Sequence, residues 1–211
     1  MFKYFFALSF LLVLNTSAFA ASSTKEHTGW YVGGGLGYFD VNAKEKVSRP
    51  LLVDDQASTA SIEVYGGYNF TEYFGLEISL IDSGDVAENS GYDAYFLPIM
   101  FTPKFTWQIN DTVSLYGKLG LTLGTYIMQD DAFWSDDNIV WSGIGGVAGI
   151  GTNISLTRLL NLRISYDYTQ TRMRSDTDDI GYFRYGYLFF MPVEDIDVKS
   201  SRFSAGVYVQ F

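Results

Sequence analysis

From Trp30 onward the chain alternates. In the run WYVGGGLGYF, Trp30, Val32, Gly34, Leu36 and Tyr38 fall on one side of an extended backbone. Tyr31, Gly33, Gly35, Gly37 and Phe39 fall on the other. Successive strand side chains point to opposite faces, so the run predicts a strand with one apolar face and one cramped face. The pattern then recurs. Residues 61–70 set Ile62, Val64 and Tyr68 against Glu63, Tyr65 and Asn69. Residues 73–83 set Phe74, Leu76, Ile78 and Leu80 against Glu77 and Ser79. Residues 94–107 set Leu97, Ile99, Phe101 and Phe105 against Thr102, Lys104 and Thr106, and 113–128 set Leu115, Leu119, Leu121 and Leu123 against Ser114, Tyr116, Lys118 and Thr122. Residues 139–156 are glycine-rich, with Ile144, Ala148 and Ile150 against Gly145, Gly149 and Asn153. Residues 162–170 set Ile164, Tyr166 and Tyr168 against Arg163, Ser165 and Asp167, and 202–211 set Phe203, Ala205 and Val207 against Arg202, Ser204 and Tyr208.

These eight predicted strands are joined by links of two lengths. Those near residues 71, 110 and 158 are tight turns. Those at 41–58, 84–93, 129–138 and 174–198 are long and polar. Short turns at one rim and long loops at the other describe an all-β, eight-stranded, antiparallel up-and-down transmembrane β-barrel. Closure satisfies every backbone N–H and C=O where no water is available. A soluble β-sandwich or lipocalin-like barrel alternates too, but buries its apolar face. Here the opposite assignment is needed, because the non-aliphatic face carries Glu63, Glu77, Lys104, Lys118, Arg163, Asp167 and Arg202. Those seven are the expected luminal charge network. The aromatics agree with this orientation. Trp30, Phe70, Tyr73, Phe74, Trp107 and Phe211 all fall at strand ends on the short-turn rim, as an interfacial girdle does.

Composition narrows the class further. Charged residues make up only 18% of the 211, and the net charge is −10, which argues against a nucleic-acid partner. No Cys is present, so disulfide, thiolate-metal and cysteine-nucleophile chemistry are excluded, and no metal or cofactor is implied. Residues 1–20 form a secretory signal peptide: Lys3, an apolar run over 4–14, then Ala18-Phe19-Ala20 before the cleavage point. That run is too short for a helical span. Residues 21–28 would be a periplasmic leader and 29–211 the barrel.

Gly66-Gly67-Tyr68, a short turn and Gly75-Leu76-Glu77 together resemble the second hairpin of the small OmpA-type outer-membrane barrels. Trp30-Tyr31-Val32-Gly33 resembles their first strand, and Lys104, Lys118 and Arg163 sit where such barrels carry inward basic residues. The resemblance runs over most of residues 29–211 and implies a barrel-only protein of the Gram-negative outer membrane, without a peptidoglycan-binding domain. Ser204, Gly206, Val209 and Phe211 resemble the C-terminal signal read by the outer-membrane assembly machinery, with Val209 replacing the more usual aromatic. The other expected partners are outer-membrane lipids and lipopolysaccharide, and the chain is expected to be a monomer.

Counting up from the short turns places Glu77, Lys104 and Arg163 at one depth. Asp167 and Arg202 form a second pair, with Glu63 and Lys118 near that layer. Two functions remain open for them. A barrel of this width is filled by its own side chains, and paired charges would seal it. Alternatively, exchange of Glu77 between Lys104 and Arg163 would gate a narrow, low-conductance pore. In related barrels a second inward carboxylate stands near the position of Asn153. Catalysis is not expected: barrel hydrolases and acyltransferases use a His base, and His27, in the leader, is the only one. Asp130, Asp131, Asp136, Asp137, Asp176, Asp178 and Asp179 read as solvated acidic loop residues, since their spacing fits no Ca²⁺ motif. The apolar stretch 182–191 in the loop 174–198 either extends the strands and packs on the barrel lip or forms an adhesin-type surface for an extracellular ligand.

Overall fold

In the computed structural model the described residues are 28–45, 54–84, 93–129, 139–175, 179–184, 187–192 and 195–211. The strands are β1 (Gly29–Glu45), β2 (Asp54–Asn69), β3 (Phe74–Asp82), β4 (Asp93–Gln108), β5 (Val113–Gln129), β6 (Ile139–Ser155), β7 (Leu160–Ser175), β8 (Asp179–Arg184), β9 (Tyr187–Pro192) and β10 (Ile196–Gln210). Eight of them close into an antiparallel barrel in the order β1-β10-β7-β6-β5-β4-β3-β2. Closure joins the first strand to the last, in a register running from Tyr31 opposite Gln210 to Glu45 opposite Ile196.

One turn design serves all three tight connections. In Phe70–Phe74, Ile109–Val113 and Leu156–Leu160 the first residue's N–H donates to the carbonyl of the fifth, at 3.0 Å in each case. The second residue is Thr71, Asn110 or Thr157. Its side-chain oxygen accepts the N–H groups of the last two residues of the turn: Tyr73 and Phe74, Thr112 and Val113, Leu159 and Leu160. Short polar side chains that bond backbone nearby are favoured in turns for this reason.

Most barrel strands are longer than the alternation predicts. β1 runs six residues beyond Phe39, and β2 begins at Asp54 rather than Ser61, so most of 41–58 is strand and not loop. β7 continues to Ser175 and β10 starts at Ile196. β3 alone is short, at nine residues. The added segments keep the alternation but reverse its polarity. Asp40 and Lys44 are exposed while Phe39, Val41 and Ala43 are buried in the lumen. Arg172 and Arg174 face out while Thr171 and Met173 face in. A strand of sixteen residues is about 53 Å long and stands about 40 Å high when tilted, whereas the apolar band is about 25 Å tall. The excess projects into water, where the inside must be apolar.

The lumen therefore has two storeys. The upper one, at the long-loop end, is a core of Phe39, Val41, Ala43, Ala57, Ala94, Phe96, Tyr126, Met128, Trp141, Met173, Ile196 and Val198. Phe39 stacks on Phe96 with ring centroids 5.9 Å apart. The lower storey holds the charges. Between them lie Ile81, Met100 and Val147 with the hydroxyls of Ser79, Thr122 and Thr171.

The connection 174–198 carries a further correction. Its apolar stretch does not continue the barrel strands. β8 and β9 form their own two-stranded sheet, with Tyr182 opposite Phe189 and Phe183 opposite Leu188. Residues 185 and 186 at its tip lie outside the described residues, as do the signal peptide, residues 21–27 with His27, and Asp130, Asp131, Asp136, Asp137, Asp176 and Asp178.

Candidate functional site

The inward phase of six strands brings all seven sequence-predicted charges into the lower lumen, each with no more than 3% of its surface exposed. Glu77 on β3 and Arg163 on β7 come from opposite walls, four strands apart around the barrel. Arg163 Nη1 donates to Glu77 Oε2 at 2.7 Å, so this pair spans the lumen. Lys118 Nζ lies 3.3 Å from Glu77 Oε1 and 3.0 Å from Asp167 Oδ1. Arg202 Nη2 meets Asp167 Oδ2 at 3.1 Å and Glu63 Oε2 at 2.7 Å. Lys104 Nζ stands 4.0 Å from Glu77 Oε2.

The two layers expected from residue counting are thus one network, and Lys118 joins them. Lys104 and Lys118 stand directly opposite each other on β4 and β5. Like charges so placed repel, and Glu77 lies within reach of both. Asn153, where related barrels carry a carboxylate, instead accepts from Arg163 Nε at 3.3 Å and donates to Ser114 Oγ.

Small residues make these pairings geometrically open. Lys118 on β5 and Asp167 on β7 are separated by β6, and Gly149 of β6 stands opposite both. A Cβ there would lie 2.2 Å from Asp167 Oδ1 and 2.8 Å from Lys118 Cε. Gly67 does the same on β2. It lets Tyr31 of β1 reach across and donate to Glu77 Oε2 at 2.8 Å, and a Cβ would meet the Tyr31 hydroxyl at 2.5 Å. The cramped face of the sequence is where side chains from flanking strands meet over the strand between.

The sequence reasoning missed the tyrosines. The Arg163 guanidinium carbon lies 4.2 Å from the ring centre of Tyr65, 5.0 Å from Tyr116, 5.1 Å from Tyr208 and 5.6 Å from Tyr31. Lys104 Nζ lies 3.9 Å from the Tyr31 ring centre. Cations are attracted to the faces of aromatic rings. The signal is in the sequence: each tyrosine stands within four residues of the short-turn end of its strand, and Tyr65, Tyr116 and Tyr208 share the inward phase with Glu63, Lys118 and Arg202 on their own strands, while Tyr31 lies on the cramped face of β1.

On the lipid side, Trp30, Phe70, Tyr73, Trp107 and Phe211 are exposed, and Phe74 is half-buried. A chain of ring contacts follows part of this rim, from Trp30 through Tyr68, Phe70 and Phe74 to Phe105, with centroid separations of 5.1, 5.0, 5.9 and 5.3 Å. On β10, Ser204 faces the lumen; Phe211, one residue past the end of that strand, is exposed, and its N–H donates to the Trp30 carbonyl at 2.8 Å. Gly206 lies where β10 and β1 pack closely; a Cβ there would be 2.4 Å from the Gly34 carbonyl oxygen. Val209, half-buried, pairs with Val32.

A closed barrel of this strand number, apolar outside and ionised within, matches a known family. The model of the outer membrane protein β-barrel domain fits residues 6–211. The chain belongs to that family. It is an outer-membrane protein, so the short-turn rim faces the periplasm and the long connections face outward. Among solved structures, Neisserial surface protein A matches with a TM-score of 0.60 at 18% identity, over 87% of this chain and 97% of that one. OprG of Pseudomonas aeruginosa matches with a TM-score of 0.58 at 14% identity, over 90% and 99%. AlkL, solved in lipid bilayers, matches with 0.54 at 11% identity, over 92% and 96%. These likenesses concern the fold. No curated protein matches by sequence.

Proposed function

We propose that this protein is a sealed outer-membrane barrel with a structural or surface-interaction role, its lumen plugged by the paired charges. The observation that carries the reading is the Glu77–Arg163 tie across the full width of the lumen, braced by Lys118 and by the tyrosines around the guanidinium. Buried charges held in such pairs are hard to separate, because each partner left alone is strongly destabilising. The apolar upper storey closes the same path a second time. In this reading the partners are outer-membrane lipids and lipopolysaccharide, and the assembly machinery that takes up the last strand; the barrel acts as a monomer and not as an enzyme. Planar-bilayer recording tests it. Wild type and Lys104→Glu should both show near-zero conductance, and steady channel events from the wild type would instead establish the narrow pore.

The hairpin β8–β9 supports a second reading, in which the barrel is an adhesin-type anchor. Most of its paired positions are apolar, including Ile180 with Met191 and Tyr182 with Phe189, and a lone two-stranded ribbon is marginal in water. Contact with an extracellular ligand would cover it. Deleting residues 182–191 should then abolish binding to host cells or matrix; retained binding rejects this reading.

A further inference from the structure

The lower lumen is not electrically balanced. Glu63, Glu77 and Asp167 bring three carboxylates, and Lys104, Lys118, Arg163 and Arg202 bring four cations, all buried. The pairings show where the surplus lies. Lys118 and Arg202 share Asp167, and Arg202 also takes Glu63, so those four groups balance. Glu77 is left against both Arg163 and Lys104. Lys104 is the more weakly held, 4.0 Å from the carboxylate that Arg163 meets at 2.7 Å. A buried cation without its own counter-charge is strongly unfavourable.

Arg202 Nε and Nη1 lack hydrogen-bond partners among the described residues, but three unpartnered donors gather around Arg163. Arg163 Nη2 has no hydrogen-bond partner among the described residues, and neither have the hydroxyls of Tyr65 and Tyr116. Both of those rings lie against that guanidinium, their centres 4.2 and 5.0 Å from its carbon. Glu77, the nearest carboxylate, already receives Tyr31 and Arg163 at Oε2 and Lys118 at Oε1. A water molecule would satisfy the donors, whereas an anion would satisfy them and the Lys104 charge together. Ser114, Asn153 and Asn161, buried polar side chains within two residues of the strand ends, line the short-turn mouth and offer a polar entrance from the periplasm.

We propose that the lower lumen binds one small monovalent anion of halide size, held beside Arg163 by its Nη2 and the Tyr65 and Tyr116 hydroxyls. The Lys104 surplus draws it there. The site is independent of whether the barrel conducts, because an anion bound at the periplasmic mouth leaves the Glu77–Arg163 tie in place.

Bromide is the probe. The full chain folded in detergent and crystallised with sodium bromide should give an anomalous difference peak beside Arg163. The peak should vanish in Lys104→Met, where carboxylates and cations are equal in number, and weaken in Tyr116→Phe, which removes a donor without changing charge. In solution, sodium chloride should raise the unfolding temperature above its value in sodium gluconate, as ligand binding to the folded state does, and this rise should be lost in Lys104→Met. Absence of the wild-type bromide peak overturns the proposal, and so does a chloride effect that Lys104→Met leaves unchanged. If Lys104→Met does not fold, the wild-type peak and its weakening in Tyr116→Phe decide.

Discussion

From the periplasmic turns to the level of Tyr38 the barrel wall is apolar outside and ionised inside. Above it, Asp40 and Lys44 face outward while Phe39, Val41 and Ala43 fill the interior. The backbone ladder is continuous through the change, as the unbroken β1–β2 register from Gly29 to Lys44 shows. Only the solvent differs. In lipid there is no hydrophobic reward for an apolar interior, and polar groups gather inside, where they can pair. In water the usual preference returns, and the upper storey is packed like a soluble core. One strand thus obeys two opposite rules along its length, and what decides between them is the medium outside.

The contrast is open to direct attack. Glu77→Gln leaves Arg163, Lys118 and Lys104 without their shared carboxylate, and should destabilise the lower storey by about 3–5 kcal/mol, read from urea unfolding in detergent. A change under 1 kcal/mol would show that water, not the network, solvates these cations. Met173→Ala in the upper storey should lower stability by about 2–5 kcal/mol, as cavity formation does in soluble proteins. The lipid boundary can be mapped on β5 alone. Leu121→Arg, mid-wall and exposed, should lose about 2–4 kcal/mol, while Thr125→Arg, four residues higher on the same face, should lose about 0–1 kcal/mol. Equal losses at both sites would remove the boundary from where the polarity reverses. The smallest effect belongs to the exposed pair of Arg172 and Asp197, 3.4 Å apart with the arginine side chain 74% exposed. Arg172→Ala should change stability by about 0–1 kcal/mol and less in high salt.

The lower storey was legible in the sequence because its alternation is loud: leucines and isoleucines on one parity, Glu77, Lys104, Lys118, Arg163 and Asp167 on the other. The upper storey was not. Asp40-Val41-Asn42-Ala43-Lys44 alternates just as strictly, but under an apolar outer face throughout its polar residues read as the start of a loop. Polarity there marks a reversal of parity and not irregular backbone. The charges could be named from parity and depth, yet their pairing could not, since Gly149 and Gly67 decide which partners meet across a strand. The role of the tyrosines around Arg163 is not legible in the sequence, because an inward aromatic looks like simple filler until a guanidinium is found among the rings. The stretch 182–191 is too apolar for an ordinary loop, but alternation alone does not say that it belongs to a hairpin of its own, β8–β9, and not to the barrel.

The ring order carries a consequence for how the protein is made. Because β1 finds one of its two neighbours only in β10, its edge must wait, unpaired, until nearly the whole polypeptide has been delivered. An exposed strand edge readily pairs with whatever strand is near. The seam between first and last strands is therefore the step at which biogenesis succeeds or stalls, and lesions along it should show as lost yield well before they show as lost stability.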